Sequence, residues 1–176
     1  MNAKLKYLTA TAIGIALFVV LALCLQVPVF QNYYLCLGYI AMAVYCYSFG
    51  TVSGTIVGVL GVVLYCLLTN GLRGMPGWAL GNVAIGIGMG LTFAKTKQMK
   101  SKVLQYGIWI GAVIISVAVG ILGLKSLIDS LIRSQPYWVR VGMNLYAFVA
   151  DAVVLIVALP ICALLDNPAS KLIQRK

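Results

Sequence analysis

"TNGLRGMPGWALGNVAIGIGMGLTFA", residues 69–94, decides how the rest of the chain is read. It opens with turn residues and polar groups, Asn70, Arg73, Trp78 and Asn82, then runs without a charge to Lys95. A turn leading into such a run is the entry of a membrane helix, because about 20 apolar residues rising 1.5 Å each cross about 30 Å of hydrocarbon. The composition agrees. Of 176 residues 62% are hydrophobic and 9% charged, and the mean hydropathy is +1.03, which leaves too little polar surface for a water-facing shell. The sequence predicts an all-α integral membrane bundle forming one domain over residues 1–176. The first apolar run is near spanning length and lacks a small-residue cleavage pattern before Gln26 and Pro28, so it is read as a retained helix, not a signal peptide.

Working outward, six spans can be placed at about Tyr7–Leu25, Tyr34–Phe49, Thr51–Leu68, Trp78–Ala94, Gln105–Leu124 and Met143–Leu165. Only Gly50 separates the second from the third, which implies a tight helical hairpin or a broken helix. With six spans both termini share a side. That side carries Lys4, Lys6, Lys95, Lys97, Lys100, Lys102, Lys171, Arg175 and Lys176, and the other carries Arg73, Lys125, Arg133 and Arg140. The excess of basic residues places the termini and the "KTKQMKSK" loop on the cytoplasmic side. The net charge of +10 is then a topology signal, and no nucleic-acid partner is implied.

Glycines recur at intervals of four: Gly50, Gly54 and Gly58; Gly77 and Gly81; Gly86 and Gly90; Gly107 and Gly111. This spacing lets membrane helices approach closely, so all four sets are expected to pack inside the bundle. Ala12 and Ala16 share the spacing in the first span and can face a sister helix or a separate membrane partner.

Several chemistries have nothing to stand on. There is no histidine, there are three acidic residues (Asp129, Asp151 and Asp166), and no GxxxxGK[ST] occurs, which argues against zinc hydrolysis, paired-carboxylate catalysis and self-powered ATP hydrolysis. Cys24, Cys36, Cys46, Cys66 and Cys162 lie singly in apolar runs without a CxxC pair and are read as small buried hydrophobes. No enzyme, metal or cofactor is expected. What remains is a concentration of amides, aromatics and arginines in the outer loops and helix ends. Tyr7, Tyr106 and Trp109 are read as a headgroup-depth belt on the opposite side. A belt does not account for Asn82, one turn deeper than Trp78, nor for the Asn144, Phe148 and Asp151 stripe on the sixth span. Asp151 needs a partner at its depth, Arg140 or Arg73, or a proton that removes its charge. "LKSLIDSLIRSQPYW" has the apolar spacing of a short amphipathic helix that can lie at the interface or cap a pocket.

Six spans in under 180 residues, Ala12-xxx-Ala16 in the first, glycine-rich second to fourth spans and the "GWALGNVAIGIGMG" run together resemble the substrate-binding S components of energy-coupling factor (ECF) vitamin transporters, in their riboflavin-transporter-like branch. The resemblance implies that Ala12 and Ala16 dock on a transmembrane coupling subunit and that two ATPase subunits supply energy. It further implies a vitamin site at Asn32, Tyr33, Tyr34, Asn70, Arg73, Trp78, Asn82, Tyr137, Trp138, Arg140, Asn144 and Asp151, with capture outside and delivery by toppling of the bundle. Aromatics favour a flat ring and amides can read its heteroatoms. A pyridine or pyrimidine such as pyridoxine or hydroxymethylpyrimidine is the first expectation. Pantothenate, whose carboxylate suits Arg73, Arg133 or Arg140, and riboflavin are the alternatives. A rival class is a self-associating structural or channel-forming membrane protein built on the glycine faces.

Overall fold

A computed structural model describes residues 3–24, 27–30 and 33–164. Its elements are α1 (Ala3–Cys24), β1 (Val27–Phe30), β2 (Tyr33–Leu35), α2 (Gly38–Ser48), α3 (Thr51–Leu68), α4 (Met75–Thr96), α5 (Lys102–Val117), a π-helical segment (Ala118–Lys125), α6 (Ser126–Arg133) and α7 (Tyr137–Leu164). Five helical stretches are long and apolar enough to cross a membrane: Leu5–Cys24, Thr51–Leu68, Met75–Thr96, Lys102–Arg133 and Tyr137–Leu164. Their exteriors carry Leu8, Ile13, Val52, Leu91, Ile115, Val149 and Val157, and their polar side chains turn inward, the inverse of a soluble bundle.

The all-α expectation holds for this body, but the segment between α1 and α2 forms a short antiparallel hairpin that it did not include. Val27 pairs with Leu35 and Pro28 with Tyr34, and the register slips before Phe30 meets Tyr33. Tyr34 therefore belongs to a strand, and the helix expected from Tyr34 begins at Gly38. The 11 residues of α2 rise only about 16 Å, short of a span. The bundle tolerates this because α2 is enclosed by α1, α3, α4 and α7. The hairpin packs on α7. Gly50, at φ 92°, reverses the chain between α2 and α3 in a conformation that side chains disfavour.

Glycine seams hold the helices together. A Cβ placed on Gly54 would meet Cys46, one on Gly58 Met42, one on Gly61 Phe18, and ones on Gly86 and Gly90 would meet Thr55 and Thr51. A reciprocal backbone approach joins α4 to the π segment: a Cβ on Gly81 would lie 2.8 Å from the Gly120 carbonyl oxygen, and one on Gly120 2.6 Å from that of Gly81. Backbone contact and dispersion thus supply what lipid cannot. Two of the expected seams are corrected. Gly107 and Gly111 have nothing within 4 Å, because they lie on the outward side of α5, and Gly50 serves the turn instead of a contact.

At the lysine-rich end, α4 and α5 are joined by a hydrogen-bonded cluster that Lys102 Nζ caps by donating to Gln105 Oε1 at 3.3 Å. Gln105 Nε2 donates to the Thr96 carbonyl at 2.9 Å, Trp109 Nε1 donates to Thr96 Oγ1 at 2.6 Å, and Thr96 Oγ1 donates to the Thr92 carbonyl at 2.7 Å. The rings of Tyr47, Phe93 and Tyr106 surround Trp109 edge-on. Trp109 is thus a core residue, 1% exposed, and not part of a headgroup belt. Its single N–H finds an internal acceptor, so it has no need of the interface. Cys36, Cys46, Cys66 and Cys162 are free and buried; Cys24 is free and exposed.

Candidate functional site

The start of α4 sets the first part of the site. Pro76 suits the first turn, where its missing N–H is not needed. Trp78 and Asn82 follow on one face, one turn apart. Both reach the same residue of α2: Trp78 Nε1 donates to the Tyr39 hydroxyl at 2.8 Å, and that hydroxyl donates to Asn82 Oδ1 at 2.8 Å. Asn82 Nδ2 donates in turn to the Gly58 carbonyl at 2.8 Å, so one relay fastens α4 to α2 and α3. Tyr65 meets Trp78 edge-on with ring centroids 5.7 Å apart.

The second part comes from the π segment and α6. Ser126 Oγ donates to the Ile121 carbonyl at 3.0 Å, five residues back, at the end of the widened turns. Such insertions re-aim the helix that follows and recur at functional sites. Here Ser126 and Asp129 are buried, while Leu124, Leu127 and Leu131 are exposed. The expected amphipathic helix therefore exists, but it continues α5 and presents its polar face to the bundle. Lys125 Nζ donates to Asn144 Oδ1 at 2.5 Å and lies 3.5 Å from Asp129 Oδ2. Asn144 Nδ2 donates to Ser126 Oγ at 3.0 Å and toward Asp129 Oδ2 at 3.5 Å. Arg140 Nη2 donates to the same carboxylate oxygen at 3.3 Å, and Nη1 donates to Gln135 Oε1 at 3.2 Å.

Asp151, buried on α7, lies between the two parts, beside the Tyr39 hydroxyl and within electrostatic reach of Lys125. Lys125 and Arg140 flank the Asp129 carboxylate. Removing one such ion from water costs several kcal/mol, so each charge here is tolerable only with its counter-charge in place. The pairing differs from expectation. Arg140 belongs to Asp129, and the cation within reach of Asp151 is Lys125, because the π segment swings Lys125 inward while Arg73 stays in an exposed turn. Asp129 Oδ1 and Arg140 Nε are buried without a hydrogen-bond partner among the described residues.

Of the residues singled out in the sequence, the structure gathers Trp78, Asn82, Arg140, Asn144 and Asp151. Tyr137 is half-buried apart from them, lining an apolar cleft with Val119, Leu124 and Leu127, and donates its hydroxyl proton to the Leu122 carbonyl at 3.0 Å. Asn70 and Arg73 lie in the exposed α3–α4 turn, and Trp138 is 79% exposed on the outside of α7. Tyr33 and Tyr34 belong to β2, and Asn32 lies outside the described residues. Tyr39, Lys125, Ser126 and Asp129 were not foreseen. Lys125 and Asp129 had a visible signal in their i, i+4 spacing; Tyr39, in an apolar run, had none. Ala12 and Ala16 sit exposed on α1 beside Ile13 and Leu17, whereas Gly14 is buried against Tyr45 and Val57.

A lipid-facing shell around a buried, charge-balanced polar centre is the build of a membrane-embedded solute-binding protein. A sequence model of one family, the ECF-type riboflavin transporter S component, matches residues 2–167. The chain belongs to that family: it is the substrate-binding S component of an ECF vitamin transporter, a multi-pass membrane subunit that works with a coupling subunit and ATPases.

Proposed function

We propose that this S component captures riboflavin at the Trp78 end of the bundle, taken as the outer side, and delivers it inward. The observation that carries the reading is the pair of buried polar clusters, Trp78–Tyr39–Asn82 and Lys125–Asn144–Asp129, with the buried Asp151 near both, among helices whose exteriors are apolar. Riboflavin offers a flat ring system with an imide edge of alternating donors and acceptors. Trp78 supplies a ring for the flat face, and Lys125, Asn144 and Asp151 supply donors and acceptors for the edge. Asn82 and Tyr39 act as positioning residues that hold Trp78. The family's description favours riboflavin over the pyridine and pyrimidine vitamins ranked first from the residues, and over pantothenate.

Six crossings with both termini inside suit this reading. Ala12 and Ala16 form the surface on which the coupling subunit docks, since they are small, exposed and flanked by Ile13 and Leu17. Toppling suits a body whose charges are paired inside, because few groups would have to cross hydrocarbon uncovered. Titration of the purified chain tests the substrate. Stacking on Trp78 should quench flavin fluorescence saturably, and pyridoxine, hydroxymethylpyrimidine and pantothenate should give no response in tryptophan emission. A saturable signal from one of those and none from riboflavin would reassign the substrate. Silence from all of them, with the protein running as an oligomer, would favour the self-associating rival.

A further inference from the structure

Arg73 from the α3–α4 turn and Arg133 and Gln135 from the α6–α7 turn line one cleft of about 490 Å³, with Ile132 as its apolar side. These segments are remote in sequence, and each is shaped by a left-handed residue. Asn70 at φ 55° and Ser134 at φ 51° are the two non-glycine residues with positive φ among those described. Ser134 ends α6 between Arg133 and Gln135, whose backbone N–H is held by the Ser130 carbonyl at 3.1 Å. Asn70 and Ser134 are both left-handed helix caps: Gly71 N–H donates to the Cys66 carbonyl at 2.9 Å just after Asn70, as Gln135 does to Ser130 after Ser134, and the two caps fix where these turns leave their helices.

The hydrogen-bonding sense of the cleft is one-sided. Gln135 Oε1 accepts from Arg140, which leaves the amide N–H groups as its free function. The two guanidiniums add only donors. The described carboxylates are engaged elsewhere: Asp129 with Lys125 and Arg140, Asp151 beside Tyr39 and within reach of Lys125. Two uncompensated arginines and an amide donor around a cleft call for an oxyanion, and the guanidinium fork matches phosphate oxygens two at a time. We propose that this cleft binds a phosphate group, carried by an anionic phospholipid at that membrane surface or by a water-soluble phosphomonoester. The cleft touches the buried site only through the Gln135–Arg140 hydrogen bond, and the proposal does not depend on the riboflavin reading.

The test uses the purified full chain in phosphatidylcholine nanodiscs, with two probes. Phosphatidylglycerol is added and its retention relative to phosphatidylcholine is read by native mass spectrometry; glycerol 3-phosphate is titrated and its binding read by thermal shift. The parent should bind at least one probe, and R73Q/R133Q should bind it about tenfold more weakly, the scale of one lost charge-assisted contact. R73K/R133K should fall between, since point charges remain without the fork. Retention of phosphatidylglycerol alone assigns the lipid, and a response to glycerol 3-phosphate assigns the solute. Circular dichroism checks the helicity of each variant; should the double variant fail to fold, R73Q and R133Q singly must each lose about threefold. No preference for either probe in the parent, or equal binding by the glutamine variants, overturns the proposal.

Discussion

The two ends of α4 each enter a buried polar cluster, and the clusters are built on opposite principles. At the lysine-rich end Thr96, Gln105 and Trp109 form a neutral set in which the Trp109 N–H and the Thr96 hydroxyl both have acceptors, ringed by aromatic edges. At the Trp78 end the cluster is ionic, sets the Asp129 carboxylate between Lys125 and Arg140, and leaves Asp129 Oδ1 and Arg140 Nε without a partner among the described residues. A neutral, saturated cluster is a staple. Buried charges are far costlier to hold in a membrane than neutral groups, and each needs its counter-charge in place.

This contrast can be broken most forcefully at Arg140. R140A strands Asp129 with Lys125 alone and should cost about 3–5 kcal/mol of stability, the usual penalty for removing one partner of a buried pair, seen as a large fall in the thermal midpoint in detergent. The double replacement D129L/R140M should recover most of that stability while flavin binding stays lost. Recovery of both would show the ion pair to be only a structural device. Next comes the seam between the clusters. G81L must displace the Gly120 carbonyl and should destabilise by about 1–3 kcal/mol, whereas G111L, facing open space, should stay within about 0.5 kcal/mol of the parent. Equal effects in urea or thermal unfolding would mean the α4 contact is not what holds the π segment.

Smaller effects sharpen the comparison. W78A and N82A should each weaken riboflavin binding by at least about 1 kcal/mol, roughly fivefold, without preventing membrane insertion, as equilibrium titration would report. W109F at the lysine-rich end should lose about 1 kcal/mol of stability with its hydrogen bond to Thr96 and leave riboflavin affinity unchanged. The reverse pattern would exchange the roles of the two ends. Smallest in binding terms is A12W, which should leave affinity untouched yet abolish co-purification with the coupling subunit and uptake in cells, since its side chain points away from the bundle.

Much of this arrangement is visible in the chain before folding. Trp78 and Asn82, four residues apart after a proline-containing turn, announce a shared face, and in the structure both meet Tyr39. Asn144 and Asp151 on an apolar helix likewise announce an inward stripe. Other elements are misread for definable reasons. Gly107 and Gly111 have the spacing of a seam, but spacing describes one helix and a seam needs two. Trp109 has the position of a belt residue, but the acceptor that draws it inside is Thr96, thirteen positions earlier. The hairpin over residues 27–35 is hidden because its apolar, aromatic residues suit a strand and a membrane helix alike.

Hydropathy alone determined that the chain lives in a membrane, that its body is helical, and that the polar residues on its helices must turn toward one another, because bare hydrocarbon offers a polar group no other partner. Which partner each one finds was decided only by the tertiary structure. Arg140 meets Asp129, and Asp151 comes within reach of Lys125, because the π segment and the Gly81–Gly120 contact set the rotation and depth of α6 against α7. Rotation and depth are properties of packed helices, and no single helix carries them in its sequence.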